Sequence, residues 1–166
     1  GSVANRMKFP LEVLDAVIGV WGKDQVGVRL SPYGTFNGVS DSDPMNLFGQ
    51  VIEEFNKRGI VYINMIEPRA TTAGGDDNVN DKAVCTSDLF RAKFNGMFIS
   101  SGGYKPETAE VALNDNKADA IMFGRWFIAN PDLPERIAKK AELNKYDRAT
   151  FYGGDEKGYT DYPFLS

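Results

Sequence analysis

The sequence predicts an α/β fold. Short apolar strand signals alternate with helix signals through four cycles, and the strands end in glycine, arginine or a proline turn. Such alternation means parallel strands joined by right-handed crossovers. Two architectures satisfy it: an open doubly wound sheet, or part of an eight-stranded β/α barrel whose site lies at the strand C-termini.

Each element has its own signal. Phe9, Val13, Leu14, Val17, Ile18 and Trp21 recur at helical spacing up to Gly22, with Pro10 tolerable only in an early turn. Gln25 to Ser31 alternates Val26, Val28 and Leu30 as a strand, closed by Pro32-Tyr-Gly34. Asp43-Pro44 reads as an N-cap with proline at the first helical position, and Leu47, Val51, Ile52 and Phe55 form that helix's apolar face up to Gly59. Ile60 to Ile66 is the second strand, ending at Glu67-Pro-Arg69, and a polar stretch from Ala70 to Ala83 follows; loops of this length are usually functional or mobile. A short helix over Leu89–Phe94 precedes the third strand, Met97 to Ser101. A helix from Pro106 to Asn114 leads to the fourth, Ala118 to Phe123, and one helix is expected from Trp126 to Lys140. The tail beyond carries Tyr146, Phe151, Tyr152, Tyr159, Tyr162 and Phe164, too aromatic to stay solvated, so it should dock on the body.

Composition narrows the function. At 166 residues, 42% hydrophobic and 25% charged, the chain is sized for one domain, a single unit over 1–166. Nineteen basic against 23 acidic residues, with no basic run, leave no footprint for nucleic acid or an acidic membrane surface. No stretch approaches the ~20 apolar residues of a membrane span, so a cytoplasmic location is expected. The lone Cys85 excludes an internal disulfide and fits a reducing compartment. The absence of histidine matters most. It removes Ser-His-Asp and histidine–metal chemistry and leaves proton transfer to Tyr, Asp, Glu, Lys, Cys or another chain.

The strand ends carry Arg29, Glu67 and Arg69, then Gly102 and Gly103, then Gly124 and Arg125, and of these Arg29, Gly102, Gly103, Gly124 and Arg125 are the candidate site residues. Backbone N–H groups approach an anion closely only where no Cβ intervenes, and a following helix adds its positive end, so these glycines suit a phosphate. The competing reading of Gly102-Gly103 is a tight strand-to-helix turn, and that of Arg29 is a salt bridge. Arg125, opening a helix, is disfavoured there unless an anion is present. Asp76, Asp77 and Asp81 match no calcium loop and read as a solvated turn. Nothing cationic in sequence activates Cys85, and Asn5-Arg6 reads as structural.

Several motifs in order resemble one family: Ser2-Val-Ala-Asn-Arg6, Val26-Gly-Val-Arg-Leu-Ser-Pro-Tyr-Gly34, Val61 to Pro68, Phe123-Gly-Arg125, Phe127-Ile-Ala-Asn-Pro-Asp-Leu133, Leu143 to Tyr152 and Gly158-Tyr-Thr-Asp-Tyr-Pro163. They are similar to the Old Yellow Enzyme family of FMN-dependent barrels. The likeness implies the C-terminal half of an eight-stranded β/α (TIM) barrel, four parallel strands with helices and an aromatic tail. It further implies FMN as cofactor, NAD(P)H as reductant and hydride transfer to the alkene of an enone or enal. Arg29 resembles the arginine against the flavin's pyrimidine edge, where a fixed guanidinium favours the reduced anion. Gly102, Gly103, Gly124 and Arg125 resemble the FMN-phosphate residues, and Phe151 and Tyr152 resemble aromatics near the dimethylbenzene edge and substrate entrance. Ala4 stands where the family motif has glutamate, and Gly103 where some members have asparagine.

The resemblance places the substrate-binding His-x-x-Asn or His-x-x-His pair and the proton-donating tyrosine in the N-terminal half, so no catalytic residue is expected in this chain, and no turnover from it alone. The alternative is an inactive half-barrel that associates with itself or with the N-terminal half, through unpaired strand edges. A sugar-phosphate isomerase or aldolase barrel is a lesser alternative; the absence of a strand-end lysine argues against a Schiff base.

Overall fold

A computed structural model describes residues 1–70 and 77–165. Four strands, β1 (Gly27–Leu30), β2 (Tyr62–Ile66), β3 (Met97–Ser101) and β4 (Ala120–Met122), form one parallel sheet in the order β1-β2-β3-β4. Each strand pairs with the next in sequence, so there is no strand-order reversal of the kind a doubly wound sheet uses to make its crevice. The order is that of a barrel wall. The register sets Arg29, Asn64, Ile99 and Ala120 side by side in one row.

The other face carries the core. Ile63, Met65 and Phe98 are buried against Val51, Ile52 and Phe55 of α2 (Pro44–Arg58) and Phe90 of α3 (Thr86–Phe90). Helix α2 starts and stops as its sequence dictates. Asp43 accepts from the Asn46 N–H at 3.2 Å, and Gly59 closes the helix in the left-handed region. Helix α4 (Pro106–Asn114) buries Ala109 and Ala112 beside Tyr104.

Three expectations are corrected. Helix α1 runs Val3–Trp21, started by Ser2 accepting from the Asn5 N–H, so Pro10 lies well inside it. Its packed face is Met7, Leu11, Leu14 and Ile18, whereas Phe9, Val13, Val17 and Trp21 are exposed. Both sets have helical spacing, so periodicity alone could not choose between them. The short helix begins at Thr86 rather than Leu89, with a 3-10 turn over Arg91–Lys93. The single helix expected over 126–140 is two, α5 (Arg125–Ala129) and α6 (Leu133–Lys139). The break falls at Asn130-Pro131, where proline disfavours helical geometry in the residue before it. Buried Asn130 donates to the Trp126 carbonyl at 2.8 Å and accepts from the Asn144 N–H at 2.7 Å.

The tail docks as expected, and the anchors are polar. Buried Arg136 donates to Asp132 (2.6 Å) and to the carbonyls of Glu142 (2.6 Å) and Pro163 (2.9 Å), while Asp132 accepts from the Leu165 N–H. A second knot joins Arg148 and the Tyr146 hydroxyl to the Asp77 carboxylate, with Trp126 packed edge-on against Tyr146 at 5.1 Å. Asp77 is exposed in a bend, as the turn reading expects, and also anchors the tail. Asp81 is exposed, and Asp76 lies outside the described residues. Among the described residues no helix is long and apolar enough to cross a membrane.

Both anchoring carboxylates are held below the ordinary aspartate value of 3.8. For Asp77 the Tyr146 hydroxyl is the main cause; for Asp132 burial opposes ionisation but is outweighed by the Leu165 N–H and Arg136. A depressed folded-state value contributes stability that is full above 3.8 and lost as pH falls through the lowered value. Tail cleavage by an acid-active protease should therefore accelerate below that pH, and Asp132→Asn should expose the tail to protease at pH 7. Equal protection of the variant at pH 7 would count against the anchor. Phe55→Ala, emptying a fully packed position, should cost about 3–5 kcal/mol in urea unfolding.

Candidate functional site

The C-terminal strand ends open on a cavity of about 1240 Å3 lined by Arg29, Arg69, Gly102, Gly103, Gly124 and Arg125, among others. One buried carboxylate shapes its floor. Glu67, 2% exposed at the end of β2, accepts from the N–H groups of Thr86 (2.7 Å) and Ser87 (3.0 Å) and from the hydroxyls of Ser87 (2.6 Å) and Ser100 (3.1 Å). It thereby caps α3 from nineteen residues away, which is why that helix starts earlier than its own sequence indicates. The Ser100 hydroxyl lies 2.9 Å from the Tyr104 hydroxyl, and burial pushes the Tyr104 phenol up, keeping it a protonated donor.

Gly102 and Gly103 form the turn between Ser100 and Tyr104, with φ of +113° and +68°, a region costly for residues bearing a Cβ. A Cβ on Gly102 would lie 2.7 Å from the Glu67 carbonyl oxygen, and one on Gly103 would lie 2.9 Å from the Ala70 Cβ. The turn is therefore a glycine turn by necessity, and neither glycine N–H has a hydrogen-bond partner among the described residues. Two adjacent free N–H groups in left-handed backbone make a concavity that suits an anion. The reading as a turn and the reading as a cradle are thus compatible.

The arginines differ. Arg29 makes no ion pair or hydrogen bond among the described residues, so the salt bridge that would explain it otherwise is absent there. Arg125 is already paired, with Asp77, which supplies the anion its position called for. The α5 helix behind Arg125 has five residues, too short for the helix-dipole contribution expected from a long helix. Gly124 faces open space, with nothing within 4 Å of a Cβ built on it. Arg6 pairs with Asp41, a structural contact.

The two aromatics separate. Tyr152 is 80% exposed and lines the cavity, whereas Phe151 is 4% exposed and packs 5.5 Å from the Tyr146 ring, outside the cavity lining. Phe151 thus packs on Tyr146, while Tyr152 alone of the pair lines the cavity. Burial raises the Cys85 thiol, so it is no activated nucleophile. The described residues hold no cluster of three metal-ligating side chains. Arg69, named only as a strand-end residue from sequence, donates from Nε to the Gly102 carbonyl at 3.0 Å. Sequence gave no sign of that contact, because it spans 33 residues.

Comparison with known proteins agrees with this architecture. Residues 1–144 match the NADH:flavin oxidoreductase / NADH oxidase family. The chain is 46% identical to 12-oxophytodienoate reductase 2 of Arabidopsis thaliana over 99% of its own length and 43% of that protein's. It is likewise 46% identical to putative 12-oxophytodienoate reductase 10 of Oryza sativa subsp. japonica, over 53% of that protein. The structure of morphinone reductase in complex with tetrahydroNAD superposes with a TM-score of 0.87 at 44% identity, over all of this chain and 43% of that one. The chain thus spans about half the length, or less, of the relatives it matches, aligned with their C-terminal part. Its four parallel strands are half of an eight-stranded β/α barrel. FMN and a nicotinamide reductant are the cofactors of the matching proteins, and the chain belongs to the NADH:flavin oxidoreductase, or Old Yellow Enzyme, family.

Proposed function

We propose that this chain supplies the FMN phosphate site and a flavin-facing arginine to an oxidoreductase that reduces the alkene of small α,β-unsaturated carbonyl compounds with NAD(P)H. The observation that carries the reading is the convergence on one cavity of the free Gly102 and Gly103 N–H groups, Arg125 and the unpaired Arg29. The two N–H groups fit a phosphate oxygen, and Arg125 supplies charge beside them. Gly124 leaves room there because it carries no side chain. When bound, FMN supplies the hydride chemistry, which no side chain of this chain can perform. Arg29 is proposed to favour negative charge on the ring, because its cationic guanidinium has no ion pair among the described residues. Tyr152 stands at the mouth, where an aromatic face shields a flat ligand from water. Relatives named as reductases of 12-oxophytodienoate and morphinone support a small oxo compound as substrate.

A second reading, a non-catalytic half that associates with another copy or with the N-terminal half, draws on the exposed Phe9, Val13, Val17, Val20 and Trp21 of α1. A purified chain that is colourless, self-associated and indifferent to added FMN would favour it.

Two outcomes test the first reading. Gly102→Ala should cost roughly 1–3 kcal/mol of stability through backbone strain and abolish flavin binding, because the added Cβ meets a backbone oxygen that cannot yield. Arg29→Met should leave FMN bound but lower its two-electron reduction potential by tens of millivolts, about 30 mV corresponding to 1.4 kcal/mol. An unchanged potential in Arg29→Met would remove the arginine from the flavin edge.

A further inference from the structure

Arg69 is the cation of the cavity for which neither the sequence nor the family resemblance assigns a task. Its Nε is tied to the Gly102 carbonyl at 3.0 Å, and its Cζ sits 4.2 Å from the centroid of the Tyr104 ring. These two contacts fix the guanidinium plane beside the glycine turn. Neither uses the terminal nitrogens. Nη2 is buried with no acceptor, and Arg69 has no ion pair among the described residues. Buried donors are nearly always satisfied, and each exception calls for an explanation. A guanidinium held by Nε and by its face, with its outer edge uncommitted, is preset to grip an oxyanion. The free N–H groups of Gly102 and Gly103 line the same cavity and belong to the turn that Arg69 grips.

We propose that Arg69 is a phosphate-binding residue, its Nη groups taking one oxygen of a phosphate monoester whose other oxygens meet the Gly102-Gly103 turn. The proposal rests on the cavity being the FMN phosphate site. It adds the end of β2 to a site otherwise built from the ends of β3 and β4. The alternative is that Arg69 only clamps the turn, in which case losing it weakens every ligand of the cavity alike.

Riboflavin lacks only the phosphate, so the ratio of FMN to riboflavin affinity isolates this contact. Flavin fluorescence titrations of the 1–166 chain, R69M and R69K should show FMN preferred by the parent chain. R69M should lose at least about tenfold in FMN affinity with riboflavin unchanged, a contact to a charged group being worth that much. R69K, keeping the charge without the fork, should recover part of the preference. If R69M does not fold, R69K carries the test through a several-fold smaller preference than the parent's. An unchanged ratio in a folded variant, or equal loss of both ligands, overturns the role of Arg69 and leaves the cavity assignment standing. A parent chain that does not prefer FMN overturns the cavity assignment and this proposal with it.

Discussion

The buried carboxylate of Glu67 ties together the parts from which the cavity is made. It ends β2, caps α3 through the Thr86 and Ser87 N–H groups, and reaches β3 through the Ser100 hydroxyl. A buried carboxylate is costly unless its lone pairs are filled, and here backbone and hydroxyl donors fill them. The same residue's main chain closes the arrangement: its N–H donates to the Ser101 carbonyl at 2.7 Å, and its carbonyl forbids any Cβ at Gly102. From Ser100 the hydroxyl chain continues to Tyr104, on the far side of the turn, and Tyr104 is the ring under Arg69. The glycine turn is therefore gripped at both ends by contacts that trace back to one residue.

Around that floor the cations are arranged in three states. Arg125 is balanced by Asp77, which also binds Arg148 and Tyr146, so the loop after β2 and the C-terminal tail meet on one carboxylate. Arg69 is held in place but unbalanced, and Arg29 is unpaired among the described residues. Positive charge left uncompensated in a concave site draws anions, and a chain with net charge −4 has carboxylates to spare elsewhere. Among the described residues neither Arg29 nor Arg69 has a carboxylate in ion-pair contact, which sets the cavity apart from the paired arginines elsewhere.

Much of this was legible in sequence. Asp43-Pro44 and Gly59 set the ends of α2 through local capping, and the glycines after β3 and β4 lie at the end of the sheet that carries the cavity. The family motifs reached the half-barrel, which alternation alone left open against a doubly wound sheet. What failed was non-local. The start of α3 depends on Glu67, the break between α5 and α6 is fixed by Asn130 and Asn144, and Phe151 turns inward to Tyr146 while its neighbour Tyr152 faces the cavity. The exposed stripe of α1 has the same period as its buried one, so spacing could not say which packs. Arg69 was named at a strand end without a role, because its meaning lies in a carbonyl and a ring more than thirty residues away.

The central claim is that the glycine turn after β3 holds a phosphate. It is tested most directly by following the backbone amides of Gly102 and Gly103 by NMR while FMN, riboflavin and inorganic phosphate are added in turn to the labelled chain. Both amides should shift with FMN and with inorganic phosphate and stay still with riboflavin. Amides that respond to riboflavin as to FMN, or to none of the three, would contradict the account.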